Sequence, residues 1–160
     1  MGFLMGNYAT HNTAQIRNLA RHVPESIPLG FHWCFGTFGG WPRFAPDDLG
    51  RAVELSNAAV EAANRRVDWI HIPTLNRSDD AFYRPLQNLR PQGARVFLGM
   101  IHTMPTFKER FEVAKKYLPD FGIAVYCGFG RQSPSDVPKV IQDHRQAMQF
   151  FRARRAGESA

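Results

Sequence analysis

Four short apolar runs, each followed by a helical pattern, constrain this chain more than anything else in it. They cover residues 29–35, 67–73, 94–101 and 121–126. Strands that alternate with helices point to a parallel sheet covered by helices, the connections being right-handed crossovers. The run Ala94-Arg-Val-Phe-Leu-Gly-Met-Ile101 is almost continuously apolar, the pattern of a strand buried on both faces, and Phe121-Gly-Ile-Ala-Val-Tyr126 reads as another buried strand. Helices are predicted over residues 10–22, 46–64, 78–89, 107–117 and from 133 to about 154. Pro46-Asp47-Asp48 puts a proline and two acids in a first turn, where unpaired N–H groups favour them, and Ser78-Asp79-Asp80 supplies a cap. The organisation is then a helical lead-in at 1–27, four strand–helix units at 28–155 and a flexible tail at 156–160. A doubly wound sheet satisfies this pattern. So does the C-terminal half of a (β/α)8 TIM barrel, whose complete form takes about 250 residues.

With 160 residues and 44% hydrophobic content the chain has the size and composition of one folded domain. Two cysteines do not make a disulfide scaffold and fit a reducing cytoplasm. No apolar run approaches the ~20 residues of a membrane span, and the first residues carry no signal-peptide pattern, so the expectation is a cytoplasmic protein without a membrane partner. The net charge of +6 raises nucleic acid as a partner. Its excess sits largely at Arg65-Arg66, Lys115-Lys116 and Arg152 to Arg155 on predicted helices, and no aromatic-basic strand pattern accompanies it. Nucleic acid is therefore set aside in favour of a small-molecule substrate.

Each run finishes on something reactive: His32 and Cys34, then His71, then His102, then Cys127. The C-terminal ends of parallel strands form the binding face of α/β folds. Residues two apart on a strand point the same way, so His32 and Cys34 project together, an imidazole beside a soft thiolate. That pair is half of a zinc or other transition-metal site. Cys127 offers a third ligand, and His71 or water a fourth. Acidic residues are nearly absent from these ends, which disfavours magnesium and a carboxylate-pair mechanism. The plainer alternatives are free cysteines acting as small buried apolar groups, His71 as a hydrogen-bonded pocket residue and His102 as the start of a loop. His11, His22 and His144 fall on predicted helices and read as surface groups. Cys127-Gly-Phe-Gly130-Arg131 is a short glycine loop where backbone N–H groups and Arg131 suit a carboxylate or phosphate. Geometry sets a condition on the metal. In a flat sheet of order 1-2-3-4 the outer strands lie about 14 Å apart, whereas two thiolates on one zinc need sulfurs about 3.7 Å apart. The sheet must curl.

Taken in order, His32-Trp-Cys34, Asp68-Trp-Ile-His-Ile-Pro73, Ile101-His102 and Cys127-Gly-Phe-Gly-Arg131 resemble the motifs of the C-terminal catalytic barrel of cobalamin-independent methionine synthase, within the superfamily that also holds uroporphyrinogen decarboxylase. The resemblance runs from about residue 28 to 150 and covers only the last four strand–helix units of that barrel. It implies a zinc ion held by His32, Cys34 and Cys127, activating a substrate thiol that takes a methyl group from a folate-type donor. It also implies that His102 helps protonate the leaving group. Pro73 stands where the family has a glutamate ligand, which leaves His71 or water for the fourth position. A half-barrel needs its other half, so the expected partners are a second copy of the chain, another chain, or further units of a longer reading frame. Two other functions stay open: a catalytically silent barrel remnant that oligomerises or binds a small anion near Arg131, and a metal-free decarboxylase-like relative using Arg43 and Arg131.

Overall fold

The four apolar runs form one parallel sheet. The computed structural model describes residues 8–38, 40–102 and 104–158. Its strands are β1 (Gly30–His32), β2 (Trp69–Pro73), β3 (Arg95–Ile101) and β4 (Gly122–Val125). The helices are α1 (Tyr8–Ala20), α2 (Gly50–Ala63), α3 (Asp80–Tyr83), α4 (Met104–Tyr117) and α5 (Val137–Glu158). The strands lie in the order β1-β2-β3-β4, all parallel, with Phe31 opposite Ile70, Ile70 opposite Val96 and Leu98 opposite Ile123. The order never reverses, so this sheet has no topological switch point of the doubly wound kind. Residues of α2, α4 and α5 share a core with one face of it.

Burial follows from that one-sidedness. Ile70, Ile72, Val96, Leu98, Met100 and Ile123 alternate along their strands and share a core with Val53 of α2, Phe107, Phe111 and Ala114 of α4 and Ala147 of α5. The opposite face carries Trp69, 39% exposed, the exposed Arg95 and the half-buried His71 and Phe97. The expectation that β3 is buried on both faces thus fails over its first half, where Arg95 is exposed and Phe97 half-buried and no described helix packs on that second face. Only Gly99 and Ile101, near the C-terminal end, are buried there. In β4 only Ile123 is buried.

Local chemistry explains where elements depart from the sequence pattern. β1 spans three residues rather than seven. After Trp33 N–H donates to the His71 carbonyl (3.1 Å), the chain leaves the sheet, and the carbonyls of Phe35 and Gly36 take the N–H groups of Phe44 and Arg43. Gly36 allows this with φ +80°. The stretch predicted as one helix at 78–89 breaks at Pro85, which lacks the N–H for a helical bond, and continues as a 3-10 turn over Arg84–Asn88. Its start is as expected: Asp79 accepts from the Phe82 N–H at 3.1 Å. α2 begins at Gly50, later than its acids suggest, and Asp48 accepts the Gly50 N–H from outside the helix at 2.7 Å. α5 continues to Glu158, through three of the residues assigned to the tail.

Two polar residues hold the frame. Asp68 ties the feet of β1 and β2 by accepting the Leu29 N–H at 2.8 Å while its own N–H donates to the Leu29 carbonyl. Arg110 of α4 is fully buried and donates to the Met100 carbonyl (3.2 Å), Asn76 and Thr106, so its charge sits under the ends of β2 and β3. No described helix is long and apolar enough to cross a membrane.

Candidate metal centre

The segment after β1 crosses the C-terminal rim of the sheet. That crossing brings the two ends of the sheet together. Cys34 lies two residues beyond β1 and Cys127 two beyond β4, yet their sulfurs are 3.0 Å apart. The contact between the crossing segment and the loop after β4 depends on Gly128, whose φ is +90° and whose missing Cβ would sit 2.8 Å from the Thr37 methyl group. Trp41 fastens the crossing: its indole N–H donates to Cys127 Sγ at 2.7 Å, and its ring packs on His102 (5.2 Å) and Tyr126 (4.4 Å). The Gly36 N–H lies 3.3 Å from Cys34 Sγ. The sequence gives Trp41 and Tyr126 no motif to announce them; both were missed as site residues.

His32, Cys34 and Cys127 bring one ligand atom each to within 4.8 Å of one another. Among the described residues they form the one group of three or more His, Cys, Asp or Glu side chains with that geometry. Cys34 and His32 are exposed and Cys127 is buried, so the group opens to solvent on one side. The sulfur separation is shorter than the ~3.7 Å of two thiolates on one zinc, so metal binding asks for an outward adjustment of well under 1 Å. Two thiolates and an imidazole are a soft donor set that suits zinc and leaves one tetrahedral position free. No carboxylate joins the group, and the buried Pro73 has no donor to offer. Burial, and then the Cys34 thiol, push the Cys127 thiol up to about 11. A cation is the usual agent that reverses such a penalty, because the thiolate is the ligand.

The remaining strand-end residues surround this group. His71 stands opposite His32 in the sheet register, with their Nδ1 atoms 2.6 Å apart. It is not a member of the three-residue group. Burial, followed by the neighbouring His32, lowers its pKa to about 4. His102 places Nε2 2.6 Å from the Thr74 carbonyl, which can only accept, so the proton is on Nε2 and the lone pair on Nδ1. Its ring stacks on Tyr126 at 4.5 Å and 8°. Burial and then the Arg110 charge bring its pKa to about 4, so this imidazole is neutral at pH 7. A neutral ring with a free Nδ1 is equipped to accept a proton before it donates one.

Arg131 and Arg43 lie further out. Arg131 is exposed, donates from Nε to Thr37 Oγ1 at 2.9 Å and lines a cavity of about 360 Å³ together with Trp41, Tyr126 and Gln132. Trp41 therefore belongs both to this cavity and to the cysteine pair. Arg43 turns back on its own loop, over the rings of Phe38 and Phe44 and onto the Phe38 carbonyl. His22 is exposed and His144 half-buried, both on the periphery; the side chain of His11 lies outside the described residues. Comparison of the chain with protein-family models, curated proteins and solved structures found no match.

Proposed function

We propose that the chain is a zinc-binding (β/α) half-barrel of the methionine-synthase type, using His32, Cys34 and Cys127 to hold the ion and leaving its fourth position for a substrate thiol. One observation carries the reading: thiols two residues beyond the first and last strands of the sheet lie 3.0 Å apart, where a flat sheet separates its outer strands by about 14 Å. A zinc ion in such a site lowers the pKa of a thiol that joins it, turning it into a nucleophile for methyl or alkyl transfer. The chain's own groups have separate tasks. Trp41 donates a hydrogen bond to the Cys127 sulfur, and the Trp41, Tyr126 and His102 rings form an apolar wall beside the open side. His102 holds a lone pair on Nδ1 that takes up a substrate proton and returns it to a leaving group. A folate-type donor enters this reading through the motif resemblance alone.

The bare face of the sheet, with Trp69, His71 and Phe97, is the side a second half-barrel would cover, either another copy of this chain or further strand–helix units. The test of the metal is direct. Protein purified without added metal is expected to carry close to one zinc per chain by elemental analysis, and Cys127→Ser to lose it. Metal-free protein whose thiols label freely and whose labelling is unaffected by added zinc would sink the proposal. A second reading rests on the Arg131 cavity: a metal-free module that binds a small carboxylate or phosphate there. It predicts anion binding that survives Cys127→Ser and disappears in Arg131→Gln, measured by calorimetry.

A further inference from the structure

We infer that His71 is a positioning residue that fixes the ring of His32 and selects the nitrogen with which it binds metal. This rests on the zinc reading above and adds a role for a residue outside the ligand group. The two imidazoles meet Nδ1 to Nδ1 at 2.6 Å, with centroids 4.8 Å apart and planes inclined by 17°. The centroid separation exceeds the N···N distance by about two ring radii, so the rings lie edge to edge in nearly one plane. That is the geometry of an N–H···N hydrogen bond. It is not that of two ligands on one ion: nitrogens at ~2.0–2.1 Å from a tetrahedral zinc stand about 3.3 Å apart.

The consequence for His32 follows from proton counting. Its Nδ1 is engaged by His71, so Nε2 is the nitrogen left for a metal. For Nε2 to offer a lone pair, the proton of neutral His32 must sit on Nδ1 and be donated to His71. His71, accepting at Nδ1, then carries its own proton on Nε2. Histidine ligands to metals are commonly oriented this way, by a hydrogen bond from the nitrogen that does not bind. Here the acceptor is a second histidine on the neighbouring strand.

The sheet is built to admit that ring. His71 Nε2 is buried without a hydrogen-bond partner and lies over Gly99, where a Cβ would come within 2.8 Å of it and within 3.1 Å of its Cε1. The hydrogen bond to His32 and the space over Gly99 are what set the ring's direction. Gly99 pairs with Pro73 on one side and Ala124 on the other, and its missing side chain leaves the space that the His71 ring occupies.

The test uses the whole chain with zinc(II) and cobalt(II) as probes. His71→Leu is expected to weaken zinc by roughly 10–100-fold in competition with a chromophoric chelator. The cobalt form at saturation is expected to keep the d–d band positions and thiolate charge-transfer intensity of the parent, because its ligands are unchanged. His71→Gln, whose amide oxygen can accept the His32 Nδ1–H, is expected to recover most of the affinity. Gly99→Ala, which displaces the ring without removing it, is expected to weaken zinc as His71→Leu does. Unchanged zinc affinity in a folded His71→Leu protein, or a loss in His71→Gln as large as that in His71→Leu, overturns the inference. So does a changed cobalt spectrum at saturation, which would make His71 a ligand; both outcomes leave the metal reading intact. A parent chain that binds neither ion overturns both.

Discussion

The two faces of this sheet are made of the same strands and follow opposite rules. On the helix-covered face, aliphatic side chains such as Ile70, Ile72, Leu98 and Met100 interlock with α2, α4 and α5 and are fully buried. On the bare face, rings do the covering: Trp69 lies across Gly30, His71 across Gly99 and Phe97 across Gly122, each glycine on the neighbouring strand. The first face is packed by other elements and carries the stability. The second is packed by the sheet itself, leaves Trp69 exposed, and at its C-terminal rim holds every titratable group of the candidate site. Stability and chemistry have been separated onto two sides of one layer.

That separation can be broken experimentally, starting with the largest effect. Leu98→Ala on the covered face is expected to cost about 2–5 kcal/mol in denaturant unfolding, with zinc affinity in the surviving folded fraction unchanged. Cys127→Ser is expected to do the reverse: at least a ~100-fold loss of zinc affinity by chelator competition, since one of three ligands is gone, with little change in the unfolding midpoint of the metal-free protein. A large loss of metal-free stability in this variant would mean that Cys127 is a core residue first.

Acid should act on the rim. His102 has a pKa near 4 in the folded chain against 6.5 unfolded, so between those values the unfolded chain binds more protons. Its contribution is fully present above pH 6.5 and is lost as pH falls toward 4, on the order of 1–3 kcal/mol. His102→Gln should flatten that part of the stability–pH curve measured on metal-free protein; an unchanged slope would put His102 in solvent. The smallest effect is expected at Trp69→Ser, below about 1 kcal/mol for the monomer, because the indole is already part exposed. If a second half-barrel covers the bare face, the same substitution lowers the association constant seen by sedimentation equilibrium, and the two faces become comparable.

Much of the fold was legible because it rests on period and local chemistry. The four strands, their parallel direction and the cap at Asp79 follow from apolar runs, alternation and a short polar side chain. Lengths were less legible. β1 ends early because Gly36 lets Phe35 and Gly36 pair with the segment at 43–44, and partners nine and seven residues along the chain leave no period to read. The helix at 78–89 broke at Pro85, a signal present in the sequence and passed over. Two-sided burial of β3 failed because an apolar run reports what a strand can bury, not whether another layer is there to bury it.

Of the site, the reactive residues and their place at strand ends were set by the sequence alone, since side-chain alternation and the direction of a parallel sheet require nothing distant. What the tertiary structure decided is which of them meet. Cys34 and Cys127, 93 positions apart, come within 3.0 Å only because the segment after β1 crosses the rim and packs Thr37 and Trp41 onto the loop opened by Gly128. His71 was set beside His32 by sheet register, which paired the two residues across β1 and β2. Local patterns fix what a residue can do; contacts between distant segments fix what it does it with, because a ligand set is a matter of a few ångströms that no spacing along a chain encodes.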